Sequence, residues 1–208
     1  MFDVNTIVMF FTASVLLALA PGPDNLYVMA QSMLKGKSAG LLITLGLCTG
    51  LIGHTAAVAF GVAVLFQTSS MAFTALKFIG AAYLLYLAWK SFSASEGKLS
   101  IQKGAETSSW YLYRRGVIMN ITNPKVSIFF LAFLPQFADP ARGAIIWQIL
   151  LLGLVFIIAA IIVFGMICIL AGTIGERLRR SPRTQNIINR VAGFVLLGLA
   201  LKLATSQR

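Results

Sequence analysis

Two long stretches of this chain, residues 38–76 and 143–175, contain no Asp, Glu, Lys or Arg. A run of about 20 apolar residues is enough to cross the hydrocarbon of a bilayer as a helix. Lipid offers backbone groups no partner, so a spanning segment must pair them internally, as a helix or a closed barrel. Both stretches are continuously apolar and lack the alternation of a barrel strand. They therefore predict an all-α integral membrane protein. Composition agrees: the 208 residues are 58% hydrophobic and 11% charged, whereas soluble domains carry roughly 25% charged residues.

The net charge of +11 raises the question of nucleic acid. The cations cluster between apolar runs, however, and no folded basic domain remains to hold a nucleic acid. Cys48 and Cys168 both lie within apolar runs and read as buried small hydrophobes. Neither has a second ligand at metal-site spacing. No cofactor and no metal are expected. The N-terminus carries Asp3 and no Lys or Arg ahead of its apolar run, and Pro21 follows the Ala18-Leu19-Ala20 triplet. It reads as a retained span rather than a cleaved leader.

Six spans are expected. The first is discontinuous, residues 5–20 and then 24–34, because Pro21-Gly22-Pro23 breaks it: proline removes a donor and glycine loosens the backbone. Spans two and three cover 39–66 and 71–92. A polar loop, 93–113, divides the chain. Span four opens after Arg114 and Arg115 and is interrupted at Asn123-Pro124-Lys125 before the run 126–137. Residues 139–142 form a turn. Spans five and six cover 144–173 and 187–204. The organisation is thus a first three-helix repeat (1–92), a cytoplasmic loop (93–113) and a second repeat (114–208).

Loops on one face hold Lys35 and Lys37; Lys90, Lys98, Lys103, Arg114 and Arg115; and Arg177, Arg179, Arg180 and Arg183. The opposite face holds Arg142, Lys202 and Arg208. The excess of Lys and Arg marks the first face as cytoplasmic and puts both termini outside. Three spans per half make the halves face opposite ways. Proline breaks the first helix of each half, and a charge follows each break, Asp24 and Lys125. Spans three and six share a cation-x-x-Gly pattern at Lys77–Gly80 and Arg190–Gly193, each with a leucine further on, Leu84 and Leu197. Interrupted helices at matching places in two inverted halves point to a transport site.

Of the six acids, only Asp24 falls inside a span. A carboxylate in lipid is costly and marks function by default; the alternative is a cap at the start of a short helix. Lys125 either meets an anionic group, of a solute or Asp24 itself, or snorkels to the interface. Lys77 and Arg190 are expected in the outer leaflet region or snorkelling out. His54, the sole histidine, is either a hydrogen-bonded packing residue or part of a proton relay. Gly46, Gly50 and Gly53 form a small-residue face suited to close helix packing.

Pro21-Gly22-Pro23, Gly80-Ala81-Ala82-Tyr83-Leu84, Asn120-Ile121-Thr122-Asn123-Pro124-Lys125, Phe129-Phe130-Leu131 and Leu134-Pro135-Gln136-Phe137 together resemble the LysE/RhtB family of amino-acid exporters, over nearly the whole chain. The resemblance implies a transporter rather than an enzyme. It implies a bacterial inner-membrane exporter of small amino acids or derivatives of homoserine, threonine or leucine type, driven by the proton gradient. Consistent with that, no G-x-x-x-x-G-K-[ST] phosphate loop occurs. Substrate binding is expected at Asp24, Asn25, Asn123 and Lys125, proton coupling at Asp24 and His54, and the structural breaks at Pro21, Gly22, Pro23 and Pro124. The expected partners are an amino acid, protons and the lipid bilayer; a homo-oligomer is compatible with the sequence. The rival readings are export of another solute class such as cations, or a membrane scaffold that transports nothing.

Overall fold

The computed structural model describes residues 2–68, 70–93, 108–171 and 182–205. They form helices, with no strand among the described residues. The helices are α1 (Val4–Leu19), α2 (Pro23–Lys35), α3 (Lys37–Thr68), α4 (Ser70–Phe92), α5 (Ser109–Ile121), α6 (Pro124–Ile128), α7 (Ile145–Ala171) and α8 (Pro182–Thr205). Most of the expected polar loop, and Arg177 to Arg180 of the basic loop, lie outside the described residues. α5 opens at Ser109, capped by the Ser108 hydroxyl, which accepts from the Tyr111 N–H at 3.3 Å. The last residues read as loop are therefore helical.

By length and composition, α3 over Lys37–Gly61 and α7 can each cross a membrane. The pairs α1–α2 and α5–α6 each qualify as one broken span, bent by 62° and 48°. α4 carries Lys77 and Lys90, and α8 carries Arg190 and Lys202. They have the length: 23 and 24 residues, about 35 Å of helix.

Both bends fall where proline interrupts the helix, and both restarts place proline at the first helical position, Pro23 in α2 and Pro124 in α6. That position needs no N–H and favours proline's fixed φ. After the second break the chain does not run on as one regular helix. α6 passes into a π-helical turn, Phe129–Phe133, and a 3-10 turn, Leu134–Phe137. Pro135 cannot donate to the turn before it, so the helix ends by tightening. Asp139 then caps a short turn at Pro140–Arg142, accepting from the Ala141 N–H at 2.9 Å.

α3 packs along α5 and α7, α1 along α7, α2 between α3 and α7, and α4 along α8. The α3–α5 crossing is backbone against backbone. A Cβ at Gly46 would run into the Tyr113 carbonyl, and one at Gly116 into the Ile43 carbonyl. Of the three expected small-residue positions, Gly46 makes this backbone approach, Gly50 admits the Asn120 side chain, and Gly53 faces open space. Cys48 and Cys168 are buried free thiols. The core is aromatic at its centre. Phe10, Phe129, Phe130 and Phe133 are fully buried, and Phe156 packs on Phe129 and Phe130 with ring centroids 5.3 and 5.0 Å away.

Candidate functional site

The break after α1 strands carbonyl groups. The donors that would reach Leu17 and Leu19 belong to residues 21 and 23, both prolines, and helix ends leave their last four carbonyls without intrahelical partners. Such groups buried in an apolar setting must find other donors. Two side chains supply them. Asn25 Nδ2 donates to the Ala18 carbonyl at 2.6 Å. Lys125 Nζ donates to the Ala20 carbonyl at 2.8 Å and the Leu17 carbonyl at 3.3 Å. The negative end of the α1 dipole thus meets a cation. Gly22 leaves room for it: a Cβ there would sit 3.1 Å from Lys125 Nζ.

The second break is laced to the first. Asn123 caps α6, its Oδ1 accepting from the Lys125 N–H at 3.0 Å. Its Nδ2 donates to Asp24 Oδ2 at 2.9 Å. The Asn120 carbonyl, near the end of α5, lies 3.2 Å from His54 Nε2. A carbonyl only accepts, so Nε2 carries the hydrogen. Each break is therefore completed in part by side chains from the other half of the chain, Lys125 at the first and Asp24 and His54 at the second.

Asp24 stands in the first turn of α2, where Gly22 is the cap and no side chain bonds the helix end. It is not the cap that one reading of the sequence made it. Its carboxylate is buried, 3% exposed, and Oδ1 has no hydrogen-bond partner. Asn120, next to Asp24 and 2% exposed, also leaves its Oδ1 unpartnered. Its side chain rests on Gly50, where a Cβ would lie 2.6 Å from that oxygen. Asn25 Oδ1 is a third unsatisfied acceptor. An unsatisfied buried acceptor is costly, and this crossing holds three such oxygens, on Asp24, Asn25 and Asn120. Such a place suits a group rich in N–H.

The structure brings Asp24, Asn25, Asn123, Lys125 and His54 to one level of the helix packing. It does not pair Asp24 with Lys125 directly: the carboxylate is held by Asn123 and the ammonium by the Ala20 and Leu17 carbonyls. Two of the three ammonium hydrogens of Lys125 go to α1. Lys77 lies over the Phe78 ring at 4.9 Å, away from the site. Asn120 is the residue that sequence reasoning passed over as a member of the site. Its signal was present, an amide three positions before Asn123 in an apolar stretch.

A broken-helix crossing with a buried carboxylate is the kind of site that secondary transporters build. A family model described as the LysE type translocator matches residues 15–207. The chain belongs to the LysE-type translocator family. LysE-type proteins are transporters, and this one is a multi-pass membrane protein with no enzyme chemistry to account for. It is 33% identical over 207 residues to an uncharacterized membrane protein of Vibrio cholerae, covering 99% of each chain. A homoserine/homoserine lactone efflux protein of Salmonella typhimurium is 33% identical over 195 residues, 92% of this chain and 93% of its own. An uncharacterized membrane protein of Bacillus subtilis, YrhP, is 27% identical over 211 residues. No solved structure matches this LysE-type chain.

Proposed function

We propose that this protein is a secondary exporter, in a bacterial inner membrane, of small amino acids or derivatives of homoserine, threonine or leucine type, and that it works by proton antiport. The efflux function named for the Salmonella relative supports the solute class. One structural observation carries the mechanism: the Asp24 carboxylate, buried where two broken helices cross, with one oxygen unpartnered.

The solute's ammonium is held by Asp24 Oδ1, and the Asn120 side-chain amide lies beside the same carboxylate. Asn123 keeps the carboxylate aimed by holding Oδ2. The third hydrogen of Lys125 is left for the solute's carboxylate, and its other two hold α1 in place. While an ammonium is bound, Asp24 stays ionised as half of a charge pair. Once the solute leaves, an unpaired buried carboxylate is expensive, and the group takes up a proton from the outer side. Return of the protonated empty site and loss of that proton to the cytoplasm complete the exchange. His54 stands beside this exchange as a second titratable group, its Nε2 donating to the Asn120 carbonyl.

The six spans act as two inverted repeats, 1–92 and 114–208, with the 93–113 region cytoplasmic and both termini outside. The packing supports an exchange of roles between the halves. The broken helix of the second half packs on α3 and that of the first half on α7, while α4 and α8 pack on each other. Alternating access then rocks one half against the other around the crossing.

Uptake of radiolabelled homoserine into inverted membrane vesicles tests this. Acidifying the lumen should drive uptake, and a protonophore should abolish the driven part. Uptake that ignores the gradient would rule out antiport. No uptake of homoserine, threonine or leucine would rule out the solute class.

A further inference from the structure

A second polar feature lies away from the Asp24 crossing. A cavity of about 240 Å³ opens between the start of α1, the end of α8 and the turns after α6. Its walls are apolar at Phe2, Met9, Phe133 and Phe137, and Arg142 and Lys202 reach its edge. The cation distribution places this face outside. Arg142 is neutralised by Asp139, which also lines the cavity. Lys202 is placed differently: its Nζ lies 4.6 Å from the centre of the Phe137 ring and 3.8 Å from Met9 Sδ. A thioether is a weak acceptor, and no carboxylate among the described residues pairs with this ammonium. The cavity therefore combines a cation that no described carboxylate pairs with and an aromatic and thioether wall.

From Lys202 inward the rings are in contact. Phe137 meets Phe133 at 5.1 Å, Phe133 meets Phe129 at 4.8 Å, Phe129 meets Phe130 at 6.3 Å, and Phe130 meets His54 at 5.6 Å. Three of these phenylalanines, Phe129, Phe130 and Phe133, sit on the π-helical turn, a geometry that recurs at functional sites. The outer cavity and the buried crossing are thus the two ends of one aromatic column.

We propose that the outer cavity is a binding site for a small organic carboxylate with an apolar tail. The carboxylate sits on Lys202, and the tail lies against Phe133, Phe137 and Met9. On the export reading, which this second step rests on, it is the outer station of a solute of leucine type after it passes the column. A charge-assisted contact to a carboxylate is stronger than the thioether contact it displaces. The aromatic wall supplies the apolar contact that a free ammonium at the surface lacks.

The test uses the full chain in nanodiscs of neutral lipid, labelled with ¹³C at the methionine methyls; Met9→Leu identifies the Met9 resonance. The probe is sodium 4-methylpentanoate, which has a carboxylate and an apolar tail but no ammonium for Asp24. A saturable shift of Met9 is expected, retained in Asp24→Asn. The uncharged 4-methylpentanamide should give none. Lys202→Gln should weaken the binding about tenfold, and Lys202→Arg should restore it to within about threefold, which separates loss of charge from loss of fold. An absent or non-saturating shift, an equal response to the amide, or unchanged binding by Lys202→Gln would overturn the proposal. A Met9 shift produced by anionic-lipid nanodiscs and not by the carboxylate would overturn it too, making the cavity a headgroup site. Vesicle transport is read separately. Homoserine uptake without a Met9 response refutes this inference alone. A Met9 response without any amino-acid uptake refutes the export reading and leaves the carboxylate site standing.

Discussion

Lys125→Met removes every donor at the end of Lys125 while keeping most of its buried stem. Two carbonyls at the end of α1, Leu17 and Ala20, then lose the donor that Lys125 supplies, and for Leu17 the intrahelical donor is already missing because residue 21 is proline. A buried acceptor left unpaired costs about 1–3 kcal/mol. The Ala20 contact at 2.8 Å is the stronger of the two, and the Leu17 contact at 3.3 Å the weaker. A loss of about 3 kcal/mol is expected from the pair, roughly a 150-fold change in the unfolding equilibrium. Lys125→Gln can still donate to one carbonyl and should lose about half as much. Unfolding in mixed micelles, followed by helicity as denaturing detergent is raised, measures both. The double change with Asn25→Leu should be non-additive, because Asn25 and Lys125 complete the same helix end. If Lys125→Met is within about 0.5 kcal/mol of the parent, a size typical of inconsequential surface changes, the ammonium does not hold the first break together.

Three further outcomes follow from the same geometry. His54→Gln keeps an N–H for the Asn120 carbonyl and should retain stability, whereas His54→Leu should cost about 1–3 kcal/mol in the same micelle assay. Gly46→Ala pushes a methyl into the Tyr113 carbonyl and should destabilise by about 1–3 kcal/mol, while Gly53→Ala, facing open space, should be close to neutral. In a thiol-free background, cysteine at Gln207 should label from outside in intact cells and cysteine at Ser95 should not; the reverse pattern would overturn the topology.

Much of the fold was legible because its causes are local. Charge-free runs demand helices, and Pro21, Pro23 and Pro124 remove donors wherever they sit, so both breaks could be placed from sequence. Asp24 stood out because an acid within an apolar run has few innocent explanations. What could not be read was where the replacement donors come from. Lys125 reaches carbonyls more than a hundred positions earlier in the chain. Charge-matching logic offered it an anion, whereas the partner is the partial charge of a helix end. The π-helical turn was hidden for a different reason: Phe-Phe-Leu-Ala-Phe satisfies any apolar helix, and its geometry is set by packing against Phe156 and Phe10. Asn120 was overlooked because an amide has no charge to announce it, and its place beside Asp24 depends on Gly50 accepting it at close range. α4 and α8 are the reverse case. They read as spans by length, and each carries two cations, Lys77 and Lys90 in α4 and Arg190 and Lys202 in α8, so the sequence left open how far into the membrane those charges sit.

The central claim is that Asp24 carries the proton that exchanges for the solute. Asp24→Asn keeps the size of the side chain and its bond partner at Asn123, and removes only titration and charge. Measured in inverted vesicles with an acidified lumen, the account predicts that this variant inserts at parental levels and shows no gradient-driven homoserine uptake. Full uptake that still follows the gradient would contradict it.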